Sequence, residues 1–182
     1  MANKKKVIVT GFEPFGEHAV NSSWVAVQEL ERLGLGEAVD LYVCEVPVEY
    51  QAVQSLLPSL WREHQPQCCM ENGPDCINSV LDMDAVCKRV NDSNIGVAVS
   101  VSKDAGRYLC DYTYYTSLYL GQGCSAFIHV PPLGKPYCSQ DLGRALQAVI
   151  QEMLNLLEPD HTEEEHKHNE HCGHKHQHQH DH

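Results

Sequence analysis

Short apolar runs alternate along this chain with longer segments in which apolar residues recur every three or four positions. The runs predict strands at Lys6–Thr10, Asp40–Val46, Val97–Val101 and Ser125–Val130. The amphipathic segments predict helices at about Ser22–Leu33, Val48–Glu63, Asn78–Val90, Asp111–Leu120 and Ser139–Leu157. Strands that alternate with helices predict an α/β fold, a three-layer sandwich in which helices cover both faces of a mostly parallel open sheet.

This pattern stops at Leu157, so we expect one domain over residues 1–157 and a separate tail over residues 158–182. Nine of the twelve histidines lie between His161 and His182, and almost no apolar residue accompanies them. Such a segment cannot build a core and is predicted to be disordered. Its histidines could chelate zinc, nickel or copper, or the tail could be a solvated segment whose metal affinity has no biological use. The lack of any fixed geometry favours the second interpretation.

The net charge excludes two classes of binding partner, and the cysteine content indicates the cellular compartment. The formal net charge is −12, which argues against nucleic acid and against anionic membranes, because both need a basic face. The N-terminal Met-Ala-Asn-Lys-Lys-Lys leads directly into the strand Val7-Ile8-Val9, which is too short for the apolar part of a signal peptide. Nine cysteines without an export signal indicate reduced thiols in the cytosol.

One cysteine has the surroundings of a nucleophile. A turn signal at Asp104-Ala-Gly places Cys110 at or near the start of a helix, where free N–H groups and the helix dipole favour the thiolate. His129 ends the predicted strand Ser125–Val130, before two prolines. A pair of this kind can act as thiolate nucleophile and imidazole acid and base. The spacing alone leaves the alternative open that Cys110 is an inert core thiol.

Four motifs, in this order along the chain, make it resemble the pyroglutamyl-peptidase I family. The residues of these motifs are most similar to those of the vertebrate members. They are Thr10-Gly-Phe-Glu-Pro-Phe-Gly16, Val20-Asn-Ser-Ser-Trp24, Ala105-Gly-Arg-Tyr-Leu-Cys110 and Phe127-Ile-His-Val-Pro-Pro132. The resemblance covers about residues 5–157. It implies a monomeric, cytosolic cysteine peptidase without a cofactor or metal, which removes N-terminal pyroglutamate from peptides. It also implies that Cys110 is the nucleophile, His129 is the general base, and Phe12 and Phe15 enclose the flat lactam ring.

The resemblance is interrupted after Gln67. Family members carry there a glutamate that orients the histidine, a central strand and a Gly-rich substrate-binding loop. In this chain Trp61–Gln67 runs directly into Cys68, and a few tens of residues of the family pattern are absent. We therefore expect a sheet that lacks one central strand and a site that lacks the family's catalytic glutamate. The alternative function is an impaired or inactive isoform of the family.

Overall fold

The computed structural model describes residues 4–64 and 77–157. The Gln67/Cys68 junction and the His-rich tail lie outside these described residues. Two strands and five helices occur within them, and each helix or strand is numbered here in chain order. They are β1 (Lys5–Phe12), α1 (Ser22–Leu33), β2 (Val39–Val46), α2 (Tyr50–His64), α3 (Met83–Asp92), α4 (Leu109–Leu120) and α5 (Ser139–Leu157).

Strands β1 and β2 form a parallel pair, in which Lys5 lies opposite Val39 and Phe12 lies opposite Val46. Alternate residues of a strand point to opposite faces. Val7 and Val9 pack on one face against a core cluster built by α1 and α5. Phe12 instead packs against a cluster that contains residues of α2. Both faces of the pair are therefore apolar and covered, which is typical of parallel sheets.

The helices form two layers around the strands, as an α/β fold requires. Helices α1 and α5 pack together over β1 and β2, and α3 packs on α5. On the opposite face, α2 packs against β2 and α4, and the rings of Tyr42 and His64 stack with centroids 3.8 Å apart. The predicted α/β class is thus confirmed, with helices on both faces of a parallel sheet.

The predicted strands Val97–Val101 and Ser125–Val130 are wrong as hydrogen-bonded strands. Among the described residues only β1 and β2 pair. Segments 97–101 and 125–130 are not helical, and neither is hydrogen-bonded to a strand as part of a sheet. A strand needs a neighbouring strand to satisfy its backbone groups. Side chains replace that neighbour in part, because Asn91 bonds both the N–H and the carbonyl of Val99.

The predicted helices agree with the structure apart from some boundaries. Helix α3 begins at Met83, five residues later than predicted, because the Asp82 carboxylate caps it by accepting from the Ala85 N–H at 2.9 Å. Helix α4 begins at Leu109, so Cys110 lies inside its first turn. None of the helices in the described part of the chain is long and apolar enough to span a membrane.

Candidate active site

Cys110 is the second residue of α4 and is half-buried. The residue at the N-cap position is Tyr108, whose side chain makes no capping hydrogen bond. The first N–H groups of a helix have no partner within the helix and rely on caps, water or a ligand. The start of α4 therefore presents backbone donors and the positive end of the helix dipole beside the Cys110 side chain.

The loop before α4 brings Cys110 and His129 to the same place. The Asp104 carboxylate accepts from the Gly106 N–H at 2.9 Å, which tightens the turn. Gly106 has a φ of +89°, a conformation that favours glycine. A Cβ atom at Gly106 would lie 3.9 Å from Cys110 Cβ and 3.9 Å from both Cε1 and Nε2 of His129. The thiol-bearing residue and the imidazole thus flank one backbone position, although 19 residues separate them in the sequence.

Backbone and aromatic contacts hold the His129 ring. Its Nε2 lies 3.0 Å from the Ala105 carbonyl oxygen, and because a carbonyl only accepts, Nε2 carries the proton. The ring meets Phe127 edge-on, with centroids 5.0 Å apart. Within residues 4–64 and 77–157, no carboxylate is hydrogen-bonded to His129, and no hydrogen bond joins it to Cys110. A backbone carbonyl therefore fixes the ring where a triad would use an acidic side chain.

Burial raises the pKa of the Cys110 thiol above its ordinary value of 9.0. Desolvation penalises the charged thiolate and so raises the pKa of the thiol. It opposes the helix dipole, which lowers that pKa. The raised pKa favours the neutral thiol over the thiolate near neutral pH.

The two phenylalanines occupy different environments. Phe12 ends β1 and packs against the Val46 cluster, which Leu109 of α4 also contacts. The Ser23 hydroxyl accepts from the Phe12 N–H at 2.9 Å and fixes the backbone there. Phe15 is 52% exposed and lies 5.6 Å from the His18 ring between centroids. Phe12 thus packs on the same cluster as the helix that carries Cys110, whereas Phe15 is exposed at the surface of the loop.

Three features of this site are not evident from residue types. The Ala105 carbonyl, the bare Cα of Gly106 and the backbone of Tyr108 act through geometry. Tyr108 has a φ of +62° and is 83% exposed, an unusual conformation for a bulky residue. Of these backbone features, the sequence indicates only the turn, through the turn signal at Asp104. Strained positions of this kind cluster at functional sites.

The described residues contain no group of three or more His, Cys, Asp or Glu side chains that could hold a metal ion. The histidines at 174, 176, 178, 180 and 182 lie outside that part of the chain. The favoured interpretation, a solvated tail whose metal affinity has no biological use, therefore stays a prediction, and metal binding stays its alternative.

Comparison with known proteins shows the family of this chain. A family model described as pyroglutamyl peptidase matches residues 5–96, which ends before Cys110. The pyroglutamyl-peptidase 1 of Rattus norvegicus is 54% identical over 193 residues, covering 85% of this chain and 92% of the relative. This chain belongs to the pyroglutamyl peptidase family.

Solved structures of pyroglutamyl peptidases share the fold. Pyroglutamyl peptidase I from Bacillus amyloliquefaciens superimposes with a TM-score of 0.67 at 19% identity, over 84% of this chain and 98% of that one. A mutant pyrrolidone carboxyl peptidase from Pyrococcus furiosus gives a TM-score of 0.71 at 22% identity, over 84% and 99%. At such identities the likeness establishes the α/β architecture of the family and nothing finer.

Proposed function

We propose that this chain is a thiol peptidase that acts on peptides with an N-terminal pyroglutamyl residue. The observation that carries the proposal is that Cys110, at the N-terminus of α4, and His129 both lie close to Gly106. Membership of the pyroglutamyl peptidase family supplies the substrate class. The reaction needs no cofactor, and we expect a monomer in the cytosol.

In this mechanism Cys110 Sγ attacks the pyroglutamyl carbonyl carbon while the His129 ring takes the thiol proton at Nδ1, because Nε2 already carries a proton. The tetrahedral oxyanion accepts hydrogen bonds from the first backbone N–H groups of α4, which no side chain caps. His129 then protonates the departing amine, and the C–N bond breaks to leave a thioester on Cys110. Water, deprotonated by His129, hydrolyses the thioester and releases pyroglutamate.

Phe12 and Phe15 are proposed to bind the lactam ring of the substrate. Pyroglutamate has no charged α-amino group, so its site needs apolar faces and a few amide-directed hydrogen bonds rather than an acidic anchor. Phe12 packs on the same cluster as Leu109 of α4, and Phe15 is exposed in the loop that follows β1. Loops on a rigid scaffold are the usual carriers of such contacts.

A second candidate, an impaired or inactive member of the family, is supported by the state of the histidine. His129 is held by a backbone carbonyl, and the pKa of Cys110 is raised. The alignment with the rat relative runs over 193 positions, whereas 85% of this 182-residue chain is about 155 residues. About 38 aligned positions thus lack a residue of this chain. The gap expected after Gln67 stays a prediction. Loss of the orienting carboxylate costs about 10⁴-fold in turnover in serine hydrolases.

The two candidates differ in one assay, release of a fluorophore from a pyroglutamyl amide by the purified full chain. Cys110→Ala is the test variant, and Cys138→Ala, which removes an exposed thiol elsewhere, is the matched control. The peptidase proposal expects turnover that Cys110→Ala abolishes and Cys138→Ala retains. Soluble, folded protein with no turnover above the Cys110→Ala background would leave the inactive isoform as the function of this chain.

A further inference from the structure

Glu13 lies between Phe12 and Phe15, and its hydrogen bonds hold the start of the loop that joins β1 to α1. The Glu13 N–H donates to the Val46 carbonyl at the end of β2, at 3.0 Å. The Glu13 carboxylate accepts through Oε1 from the Val48 N–H at 3.1 Å. The backbone and the side chain of one residue therefore both bind the end of β2 and the connection that follows it.

A third hydrogen bond joins Glu13 to the start of α1. Asn21 Nδ2 donates to the Glu13 carbonyl at 3.1 Å, while Asn21 Oδ1 accepts from the Ser23 N–H and caps the helix. The Ser23 hydroxyl in turn accepts from the Phe12 N–H at 2.9 Å. Glu13 thus connects the loop to β2, to Val48 and to α1.

The loop changes character directly after Glu13. Phe12 packs against the Val46 cluster, whereas residues 14–20 are all exposed. Pro14 follows Glu13, and its ring restricts the backbone both of Pro14 and of the residue before it. The orientation of Glu13 is therefore passed on to Phe15 through a stiff connection.

Only one of the three hydrogen bonds depends on the Glu13 side chain. The bonds to Val46 and Asn21 use backbone atoms, which every residue other than proline provides. The bond to the half-buried Val48 N–H needs a side-chain oxygen at the reach of a glutamate. A substitution at residue 13 can therefore remove this bond and leave the other two in place.

We propose that Glu13 is a positioning residue for the lactam ring. Through its bond to Val48 it holds the loop against the end of β2, and so fixes where Phe15 lies relative to Phe12. The inference rests on the proposed function, because it takes the two phenylalanines as the residues that bind the lactam. Glu13 is bonded to neither member of the Cys110 and His129 pair through this contact, so it acts on binding and not on the chemical step.

The test measures binding of 2-pyrrolidone, which is the lactam ring alone, to the purified full chain by ligand-detected NMR titration. Glu13→Ala removes the acceptor of the Val48 N–H and is expected to weaken binding about threefold to tenfold, the factor that corresponds to one hydrogen bond. Glu13→Gln keeps an oxygen at the same reach and is expected to bind as the unaltered chain does. Glu17→Ala, at an exposed acid of the same loop, is the matched control and is also expected to bind normally.

Two further measurements separate positioning from a general loss of stability. Hydrogen–deuterium exchange with mass spectrometry should show faster exchange in residues 13–20 and in the peptide that contains Val48, for Glu13→Ala alone. Turnover of a pyroglutamyl amide should show KM raised by the same factor as the dissociation constant, with kcat unchanged. If Glu13→Ala does not fold, Glu13→Asp takes its place, because its carboxylate is one methylene group shorter.

The outcomes distinguish this inference from the proposed function. Equal affinity of Glu13→Ala and the unaltered chain for 2-pyrrolidone would overturn the inference alone. Equal weakening in Glu13→Gln and Glu13→Ala would also overturn it, because the charge and not the hydrogen bond would then be needed. An unaltered chain that binds no 2-pyrrolidone would refute the proposed lactam site and the inference together. Binding without turnover would count against the peptidase activity alone, and the affinities of the variants would still decide the role of Glu13.

Discussion

Replacement of Gly106 by alanine has two separate effects. It puts a Cβ on a residue with a positive φ, and it adds a methyl group near Cys110 and His129. A φ of +89° is costly for any residue with a Cβ, at about 1–2 kcal/mol. The new methyl group would meet Cys110 and His129 at 3.9 Å, which is ordinary van der Waals contact. The cost to folding is therefore the conformational term alone, without a steric clash.

Gly36→Ala provides a matched control for this prediction. Gly36 has a φ of +88°, and a Cβ there would have no heavy atom within 4 Å. Both variants should lose the same stability, about 1–2 kcal/mol, which corresponds to a fall in melting temperature of about 2–8 °C for a domain of this size. Only Gly106→Ala places a methyl group against both Cys110 and the His129 ring.

The assay combines thermal unfolding with the rate at which iodoacetamide labels Cys110, followed by mass spectrometry of the peptide that contains it. We expect equal melting temperatures for Gly106→Ala and Gly36→Ala, and labelling slowed several-fold in Gly106→Ala alone, because the methyl desolvates the thiol further. A much larger loss of stability in Gly106→Ala would contradict the 3.9 Å spacing. Identical labelling in both variants would refute the claim that Gly106 lies close to both Cys110 and His129.

Two further predictions concern the pKa of Cys110 and the buried hydroxyl of Thr113. The thiolate is the reactive form, so a raised pKa means that the labelling rate of Cys110 should increase with pH to a midpoint above 9.0, and a midpoint below 7 would show instead a thiolate–imidazolium pair. Thr113→Val removes a buried hydroxyl that has no partner among the described residues, and should raise the free energy of unfolding by about 1 kcal/mol in urea titration. A loss of stability in Thr113→Val would mean that the hydroxyl is bonded.

The helices of this protein were largely predictable from the sequence. The apolar stripe predicted α1 with the bounds that the structure shows, where Asn21 caps the helix, and α5 was predicted equally well. Helix α4 was harder, because its apolar and aromatic residues surround the whole helix and give no clear stripe. Its start is set by the backbone conformation of Tyr108, which residue type does not indicate.

The strands show the opposite behaviour. Lys6–Thr10 and Val97–Val101 have similar apolar patterns, yet only the first became a strand. A helix satisfies its backbone groups within itself, whereas a strand depends on a partner that is distant in sequence. Segment 97–101 bonds instead to side chains of Asn91 and Tyr137.

The sequence by itself determined the α/β class, the family and the candidate residues Cys110 and His129, because these depend on local patterns and on motifs in order. Only the tertiary structure decided which runs pair as strands, how burial opposes the helix dipole at the thiol, and which group binds the Glu13 carboxylate. The physical reason is that pairing, desolvation and hydrogen bonds between loops depend on contacts between residues far apart in the chain. Periodicity within one segment carries no information about such contacts.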